Sequence, residues 1–198
     1  MKIAIYGGAF NPPHNGHIHL ALSLNEKYHF DRIFLIPTGN PAHKSSKDFA
    51  SDEDRLNMCS IIANEYPIFE VLDIEIQSKS KSYTYNTVKK LKALFTGNEF
   101  YLIIGGDMLE MFDEWYEYKK LSKAVTILCA AREDNFQILE KKQKELLNNG
   151  CKIKLENIPI LEVSSSEIRQ KLKSNQTVNK LLPDAVLEYI KDKKIYVH

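Results

Sequence analysis

Cysteine is scarce in this sequence, and its spacing does not suggest pairing. Only Cys59, Cys129 and Cys151 occur among 198 residues; they lie far apart, and no C-x-x-C pair is present. A disulfide framework or a thiolate metal site would need an even or closely spaced set. We interpret the three as free thiols, which indicates a protein of a reducing compartment.

Strong net charge and long apolar runs are also lacking. Lys and Arg total 27 and Asp and Glu total 26, so the formal net charge at pH 7 is +1. A nucleic-acid partner is not predicted, because nucleic-acid-binding domains are strongly basic. A membrane partner is not predicted either, since no run approaches the ~20 apolar residues of a membrane span. Glycines follow MKIAIY before a signal peptide could form, and the expected location is the cytoplasm.

Short apolar runs alternate with amphipathic stretches along the chain, without internal repeats. Strands that are apolar at nearly every position are typical of a parallel sheet covered on both faces. The predicted fold class is therefore α/β: a Rossmann-like, doubly wound parallel sheet with helices on both faces. Residues 1–198 are predicted to form one domain, with 164–198 as a small C-terminal helical part packed on it. Ligands of such folds bind beyond the carboxyl ends of the strands.

Hydrophobic periodicity and turn residues place the individual elements. Strands are predicted at residues 2–6, 32–37, 69–76, 100–105, 125–131 and 151–158. Helices are predicted at 16–28, 55–65, 84–95, 136–150, 164–173 and 183–193. The polar segment 38–51 and the glycine-hinged segment 106–118 are candidates for loops that close over a ligand, and the sequence leaves open which of them moves.

The stretch GGAFNPPHNGH, residues 7–17, directly follows the first predicted strand. Its two leading glycines are expected to let the backbone turn sharply and approach a ligand. His14 and His17 lie at the start of the next helix, and a helix N-terminus favours an anion such as phosphate. Two alternatives stay open: metal binding by these histidines together with His19, and a purely structural role. The metal alternative lacks a carboxylate or thiolate ligand nearby in the sequence.

Two common nucleotide-binding motifs are absent. The glycine-containing stretch does not fit G-x-G-x-x-G, and no G-K-[ST] occurs in the chain. These are the fingerprints of dinucleotide-binding and Walker A loops. A redox dinucleotide is therefore not predicted to bind this loop.

Several stretches resemble the motifs of a known enzyme family. GGAFNPPHNGH resembles the GG-x-F-[DN]-P-x-H-x-G-H signature of the nucleotidyltransferase superfamily, and VSSSEIR (163–169) resembles its second motif, I-S-S-T-x-I-R. PAHK (41–44), SYTYNTVKKLK (82–92) and FYLIIGGDMLEMFDEWYEYKKL (100–121) are similar to motifs of bacterial nicotinate-mononucleotide adenylyltransferases. The resemblance covers nearly the whole chain and implies that residues 1–198 are a single nucleotidyltransferase domain.

The resemblance implies a reaction in NAD biosynthesis. AMP would pass from ATP to nicotinate mononucleotide, giving nicotinate adenine dinucleotide and pyrophosphate. The implied partners are these two small molecules, with Mg²⁺ held mainly by the ATP phosphates, and homo-oligomerisation is left open. Because the attacking phosphate oxygen is already ionised near neutral pH, the chemistry needs positioning and charge stabilisation but no general base.

The resemblance also implies which residues act on ATP. The catalytic set would be His14, His17, Lys44 and Arg169. His17 would lie nearest the α-phosphate, the helix-start serines would hold the β- and γ-phosphates, and Asp107 would accept hydrogen bonds from the ribose. The implied ATP contacts are Gly7, Gly8, Ala9, Phe10, His14, His17, Gly105, Asp107, Ser164, Ser165, Ser166 and Arg169.

A second set of residues is implied for the mononucleotide. Trp115, the only tryptophan, would stack on the pyridine ring, and Thr84 with nearby N–H groups would bind the nicotinate carboxylate. From the residues alone, a core position for Trp115 and a solvated side chain for Lys44 are the simpler interpretations. The implied mononucleotide contacts are Gly8, Ala9, Phe10, His43, Lys44, Thr84, Trp115 and Arg132.

Four positions depart from the family pattern. Ala9 replaces Thr or Ser, Asn11 replaces the commoner Asp, Ala42 replaces a proline and Ser166 replaces Thr. None of these changes removes a group that the chemistry requires.

Two other functions remain as alternatives. The first is an adenylyltransferase for another acceptor, nicotinamide mononucleotide or phosphopantetheine, and the Thr84–Trp115 pair argues for an aromatic acid instead. The second is a nucleotide sensor that kept the pocket without catalysis, and the presence of His17 and the helix-start serines argues against it.

Overall fold

The computed structural model describes residues 1–39, 49–78, 81–131, 135–159 and 161–196. Within these ranges the strands are β1 (Lys2–Gly8), β2 (Arg32–Pro37), β3 (Phe69–Val71), β4 (Glu99–Gly105), β5 (Thr126–Ala131) and β6 (Ile153–Asn157). The helices are α1 (Asn15–Tyr28), α2 (Asp52–Glu65), α3 (Thr84–Leu94), α4 (Gly106–Glu110), α5 (Tyr118–Ala124), α6 (Phe136–Asn148), α7 (Ser165–Lys173) and α8 (Asp184–Asp192). A 3₁₀ turn covers Phe112–Glu114.

The strands form one sheet in the order β3-β2-β1-β4-β5-β6, and all of its described pairings are parallel. The chain moves outward from β1 to β3, crosses back, and moves outward again from β4 to β6. The strand order therefore reverses between β1 and β4, which pair from Lys2–Glu99 to Ile5–Leu102. At such a switch point the loops diverge and leave a crevice for ligands. The predicted doubly wound parallel sheet is confirmed.

Side chains of β1 alternate between two apolar layers. Ile3 and Ile5 pack in one layer with α3, α4, α5 and α6. Ala4 and Tyr6 pack in the other with α1, α2, α7 and α8. A strand buried on both faces needs apolar residues at successive positions, as in IAIY. Helices cover both faces of the sheet, as predicted, and the C-terminal helices α7 and α8 belong to the α1 side.

The strand predicted at 69–76 is shorter than expected. It ends at Val71, although the N–H of Leu72 still donates to the carbonyl of Leu35 at 3.0 Å. The following residues turn, and the carbonyl oxygen of Glu75 lies so close to Gly39 that a Cβ there would be only 2.2 Å away. Backbone packing against the loop after β2 therefore overrides the alternating pattern that predicted a longer strand.

The segment 106–118 is more ordered than the predicted loop. It contains α4, the 3₁₀ turn and the first residue of α5. Leu109 and Phe112 are fully buried, and a Cβ on Gly106 would lie 2.8 Å from Leu139 of α6. Helices this short have little stability by themselves, so packing against α6 decides their formation.

The helix predicted at 55–65 begins three residues earlier, at Asp52, with Ser51 as its N-cap. The remaining boundaries agree with prediction within two residues, which is the ordinary uncertainty of helix and strand ends. The predicted loop 38–51 is described only at 38–39 and 49–51. No helix in the described part of the chain is long and apolar enough to cross a bilayer. All three cysteines are buried free thiols, and burial raises the pKa of Cys129 to about 12.

Candidate active site

Two cavities meet where β1 and β4 end. The larger cavity, about 560 Å³, is lined mainly by the loop after β1, Asp107 and the start of α7. The smaller cavity, about 280 Å³, lies on the other side of β1 and reaches Thr84 and Trp115. Tyr6, Ala9 and Gly105 line both cavities. Together they form one groove across the switch point of the sheet.

The loop after β1 turns at Phe10, not at its glycines. β1 continues through Gly8, and the left-handed φ of +46° belongs to Phe10. The Phe10 ring is buried edge-on against Tyr6 and His17, with ring centroids 5.7 and 5.1 Å apart. A Cβ on Gly8 would reach 3.4 Å from that ring, so this glycine leaves room for the aromatic packing. The expected sharp turn at Gly7 and Gly8 is wrong, and packing instead holds a non-glycine residue in a costly conformation.

His14 and His17 stack at the start of α1, with ring centroids 3.7 Å apart and a 30° angle between planes. The backbone N–H of His14 donates to Nδ1 of His17 at 3.1 Å. Since Nδ1 accepts, the neutral His17 ring carries its proton on Nε2. Both residues line the larger cavity, so the structure brings the predicted pair together.

Both imidazoles are uncharged at neutral pH. Burial lowers the pKa of His14 to about 4, and burial together with the neighbouring His14 lowers the pKa of His17 well below its ordinary value. Each neutral ring offers one N–H donor to a ligand. His14 is almost fully buried, and its Nδ1 has no hydrogen-bond partner among the described residues. A phosphate oxygen would be a suitable acceptor for such donors.

The metal alternative for the histidines requires His19 to join the pair. Instead, Nε2 of His19 lies 2.5 Å from the carbonyl oxygen of Pro159. Nδ1 of His17 is also already occupied by a backbone N–H. Among the described residues no group of three His, Cys, Asp or Glu side chains is placed to hold a metal ion. The geometry therefore suits phosphate better than a metal.

The start of α7 is joined to the loop after β1. Ser164 is the N-cap, and its hydroxyl accepts from the N–H of Glu167 at 3.1 Å. The hydroxyl of Ser165 donates to the carbonyl of Pro12 at 2.8 Å. The N–H groups of Ser165 and Ser166 precede the first bond inside the helix, and both residues line the larger cavity. A helix start of this kind favours an anion, and the phosphate-binding role of the serines stays a prediction.

Arg169 has a positioning role that the sequence did not show. Its Nη1 donates to the carbonyl of Asn11 at 2.8 Å, and its Nη2 donates to Oγ of Ser166 at 3.2 Å. It also lines the larger cavity. A single guanidinium therefore holds the loop after β1 against α7 while presenting positive charge to the cavity.

Asp107 occupies the first turn of α4 and lines the larger cavity. Its carboxylate folds back over Gly105, where a Cβ would lie only 2.8 Å from Oδ1. Glycine at 105 is therefore needed for this carboxylate position. An exposed carboxylate at the cavity edge can accept hydrogen bonds from sugar hydroxyls.

Trp115 is partly buried, and its position is compatible with both a core role and the predicted stacking on a pyridine ring. One side packs on Phe112, with ring centroids 5.4 Å apart, as part of the apolar layer under β4. The residue also lines the smaller cavity together with Gly8 and Thr84. A partly exposed indole anchored in this way is a rigid surface for a flat heterocycle.

Thr84 is the first residue of α3, whose start has no side-chain cap. The N-cap residue Tyr83 makes no side-chain hydrogen bond to the helix. Its carbonyl accepts from the N–H groups of Asn86 and Thr87, at 2.9 and 3.2 Å. The N–H groups of Thr84 and Tyr85 have no carbonyl to bond within the helix. A carboxylate in the smaller cavity could cap this helix start.

Three predicted contacts, His43, Lys44 and Arg132, lie outside the described residues, as does the substituted Ala42. Their assignments stay predictions. The other predicted contact residues lie at the end of β1 and in the loop after it, at the end of β4, or at the starts of α1, α3, α4 and α7. Trp115 lies directly after the 3₁₀ turn.

Sequence reasoning missed several residues of the groove. Tyr6 lines both cavities, and burial raises the pKa of its phenol. Glu75 lines the smaller cavity and accepts from the hydroxyl of Thr87 at 2.7 Å. Burial raises the pKa of the Glu75 carboxyl. The turn that places Glu75 here was predicted as strand, so no sequence signal marked it.

Asn11 and Tyr196 form a second contact that the sequence did not predict. The hydroxyl of Tyr196 donates to Oδ1 of Asn11 at 2.6 Å, and the N–H of Ala50 donates to the same oxygen at 2.9 Å. Asn11 is only 2% exposed. The loop after β1, the approach to α2 and the C-terminal residues therefore meet at one amide.

Comparison with known proteins agrees with this geometry. Residues 5–171 match the model of the cytidylyltransferase-like family. Two relatives carry the name "Probable nicotinate-nucleotide adenylyltransferase". The one from Lachnoclostridium phytofermentans is 35% identical over 191 residues, 96% of each chain. The one from Oceanobacillus iheyensis is 31% identical over 195 residues, 98% of this chain and 96% of the relative.

Solved structures resemble this chain over nearly its whole length. Plasmodium falciparum nicotinic acid mononucleotide adenylyltransferase complexed with NaAD superposes with a TM-score of 0.81 at 25% identity, covering 98% of this chain and 97% of that one. The same enzyme complexed with APC gives a TM-score of 0.78 at 24% identity, covering 98% and 96%, and supports the fold. The chain therefore belongs to the cytidylyltransferase-like family and groups within it with the nicotinate-nucleotide adenylyltransferases.

Proposed function

We propose that this chain transfers AMP from ATP to nicotinate mononucleotide, forming nicotinate adenine dinucleotide and pyrophosphate in NAD biosynthesis. The observation that carries the proposal is the paired groove. One cavity offers imidazole and helix-start donors, the other offers an indole and an open helix start, and the two join at Tyr6, Ala9 and Gly105. Adenylyl transfer must bring two phosphates together, and this junction is where they would meet.

The larger cavity would take ATP. Neutral His14 and His17 would donate to phosphate oxygens, with His17 nearest the α-phosphate. The start of α7 and Arg169 would hold the β- and γ-phosphates. Asp107 would accept hydrogen bonds from the ribose hydroxyls.

The smaller cavity would take nicotinate mononucleotide. Its pyridine ring would stack on Trp115, and its carboxylate would cap α3 at Thr84. The mononucleotide phosphate would then reach the N–H groups around Ala9. An amide in place of the carboxylate would bring no negative charge to the helix start, so the acid is the preferred substrate.

The reaction follows from this placement. A phosphate oxygen of the mononucleotide attacks the α-phosphorus of ATP, a new P–O bond forms, and the bond to the leaving pyrophosphate breaks. The nucleophile is already ionised, so the protein needs no general base. Donors that are fixed in the groove would stabilise the charge that spreads over the α-phosphate oxygens.

Mg²⁺ enters this proposal together with ATP. The groups that line the larger cavity are mainly N–H donors, hydroxyls and imidazoles, which suit phosphate oxygens, whereas Mg²⁺ prefers carboxylates, phosphates and water. When bound, the ion would neutralise part of the phosphate charge. The free buried thiols and the use of ATP agree with a cytoplasmic enzyme.

The test is product formation by the purified chain with ATP and Mg²⁺. Nicotinate mononucleotide, nicotinamide mononucleotide and phosphopantetheine are offered in parallel, and dinucleotide and pyrophosphate are measured. We expect a strong preference for the nicotinate acid, with equal amounts of dinucleotide and pyrophosphate. Preference for another acceptor would overturn the roles of Thr84 and Trp115. ATP binding without turnover on any acceptor would favour the sensor alternative.

A further inference from the structure

Arg55 is a charged residue in a position that looks apolar. It lies in the first turns of α2 with the buried Met58, Cys59 and Ile62 at the following positions of the same face. Its side chain is 0% exposed, and its guanidinium carbon lies 4.8 Å from the centroid of the Phe49 ring. Burying a guanidinium is unfavourable unless its hydrogen bonds and charge are satisfied. The contacts of Arg55 therefore indicate why it is there.

Its hydrogen bonds join two loops that leave neighbouring strands. Nη1 donates to the carbonyl of Ala9, after β1, at 2.8 Å. Nη2 donates to the carbonyl of Thr38, after β2, at 2.7 Å. Thr38 lines the smaller cavity, Ala9 lines both cavities where they join, and Arg55 itself lines neither. A planar guanidinium holds two acceptors in one fixed arrangement, so it sets the spacing of these loops.

The charge of Arg55 is only partly offset. Its ion-pair partner is Asp52, 2.5 Å from Nη2, and that carboxylate is 49% exposed and so screened by water. Nε of Arg55 has no hydrogen-bond partner among the described residues. Positive charge that is buried behind the loop carbonyls favours an anion on the other side of the loops.

We propose that Arg55 is a positioning residue for the mononucleotide phosphate. It holds the loops after β1 and β2 at the spacing that lets both reach one phosphate, and it adds buried positive charge behind them. It acts through Ala9 and Thr38 without touching substrate. The inference rests on the proposed function, because it takes the smaller cavity as the mononucleotide site.

The test compares Arg55→Lys with Arg32→Lys, a change at the exposed start of β2, where Arg32 pairs with Glu70 at 2.9 Å. Lysine keeps the charge but cannot bridge two carbonyls in a fixed plane. Loss of one hydrogen bond from a charged donor corresponds to a change of about 10- to 100-fold in a binding constant. We expect kcat/KM for nicotinate mononucleotide to fall by that factor in Arg55→Lys, mainly through KM. The KM for ATP should stay within about twofold, and Arg32→Lys should behave as wild type.

An unchanged KM for the mononucleotide, or an equal rise in KM for both substrates, would overturn the positioning role. If Arg55→Lys does not fold, NMR of the wild-type protein still tests the positioning role. The chain has four arginines, and Arg55 is the fully buried one among those described. Its guanidinium protons should exchange slowly with water, which separates its ¹⁵N signals from those of the more exposed arginines. Nicotinate mononucleotide should shift the Arg55 signals and ATP alone should not, whereas no shift with the mononucleotide overturns the proposal. Wild type without turnover on any acceptor would instead count against the proposed function.

Discussion

Several side chains in and beside the groove form hydrogen bonds as uncharged groups. His14 and His17 are held uncharged by burial, and each offers a single directed N–H. Asn11 accepts two hydrogen bonds through one buried oxygen. The amide binds Tyr196 and Ala50 without adding negative charge beside the proposed phosphate site.

His17 is expected to contribute most to turnover. The change His17→Ala removes a donor at the α-phosphate, and the loss of one such donor costs roughly 10²- to 10³-fold in kcat. The thermal unfolding midpoint should stay near that of wild type. His29→Asn, at an exposed histidine with a left-handed φ of 53°, is the control and should keep full activity. Near-normal turnover of His17→Ala would contradict the assigned role.

The buried state of His14 predicts a loss of stability in acid. The pKa of His14 is about 4 in the folded protein, whereas an unfolded histidine has the ordinary value of 6.5. The unfolded chain therefore binds the proton first, and stability falls as pH drops from 6.5 towards 4. Between pH 7 and pH 5 this one group lowers the free energy of unfolding by about 2 kcal/mol. Urea unfolding at pH 7 and pH 5 measures this drop in the free energy of unfolding, which should be about 2 kcal/mol smaller in His14→Asn than in wild type. An equal drop in both proteins would contradict burial of the neutral ring.

Among the elements, the short helices between β4 and β5 are predicted to matter most for substrate specificity. They hold Trp115 between the apolar layer and the smaller cavity, and Lys142 of α6 anchors them through Asp113 at 2.8 Å. The hydrogen bond from Lys142 lowers the pKa of the Asp113 carboxyl. Across the cavity, α3 begins without a side-chain cap. One element therefore presents a ring surface to the cavity, and the other presents an uncapped helix start.

Trp115→Ala tests this division of labour between elements. Loss of the ring surface should raise KM for nicotinate mononucleotide by about 10-fold or more, while KM for ATP and kcat change little. Trp115→Phe keeps a flat ring and should recover most of the affinity. Steady-state kinetics with each substrate varied in turn measures both effects. A matched loss of ATP affinity would show that the segment acts by general loosening.

At the scale of the whole molecule, the C-terminal residues complete a loop near the N-terminus. Tyr196 donates to Asn11 across 185 positions of sequence. α8 is also tied to α2, because the hydroxyl of Tyr189 donates to Asp54 at 2.9 Å and accepts from Asn57 at 2.9 Å. The two tyrosines provide similar long-range bonds, but only the Tyr196 bond reaches the loop after β1.

This difference makes a matched pair of variants. Tyr196→Phe and Tyr189→Phe should each lower the free energy of unfolding by about 1 kcal/mol, the usual effect of losing one hydrogen bond. Turnover should fall several-fold only in Tyr196→Phe, because the loop that carries His14 loses a contact. Chemical denaturation and initial rates measure the two effects. Equal turnover in both variants would show that Tyr196 is purely structural.

The sequence by itself determined the fold class, most element positions and the loops that meet at the groove. Apolar strands and amphipathic helices follow from local periodicity, and parallel strands bring their carboxyl ends to one edge whatever the details of packing. The resemblance of the two superfamily motifs and of the Trp115 segment then indicated the chemistry. His14, His17, Thr84 and Trp115 all lie where those patterns predicted.

Only the tertiary structure decided what depends on contacts between distant residues. The turn at Phe10 follows from ring packing, the short helices near Trp115 follow from α6, and the early end of β3 follows from Gly39 meeting Glu75. The roles of Arg55 and Tyr196 follow only from the folded structure, because a hydrogen bond between distant segments leaves no periodic signal in either one. Local sequence determines which elements form, whereas the positions of donors in the groove are set by packing among all of them.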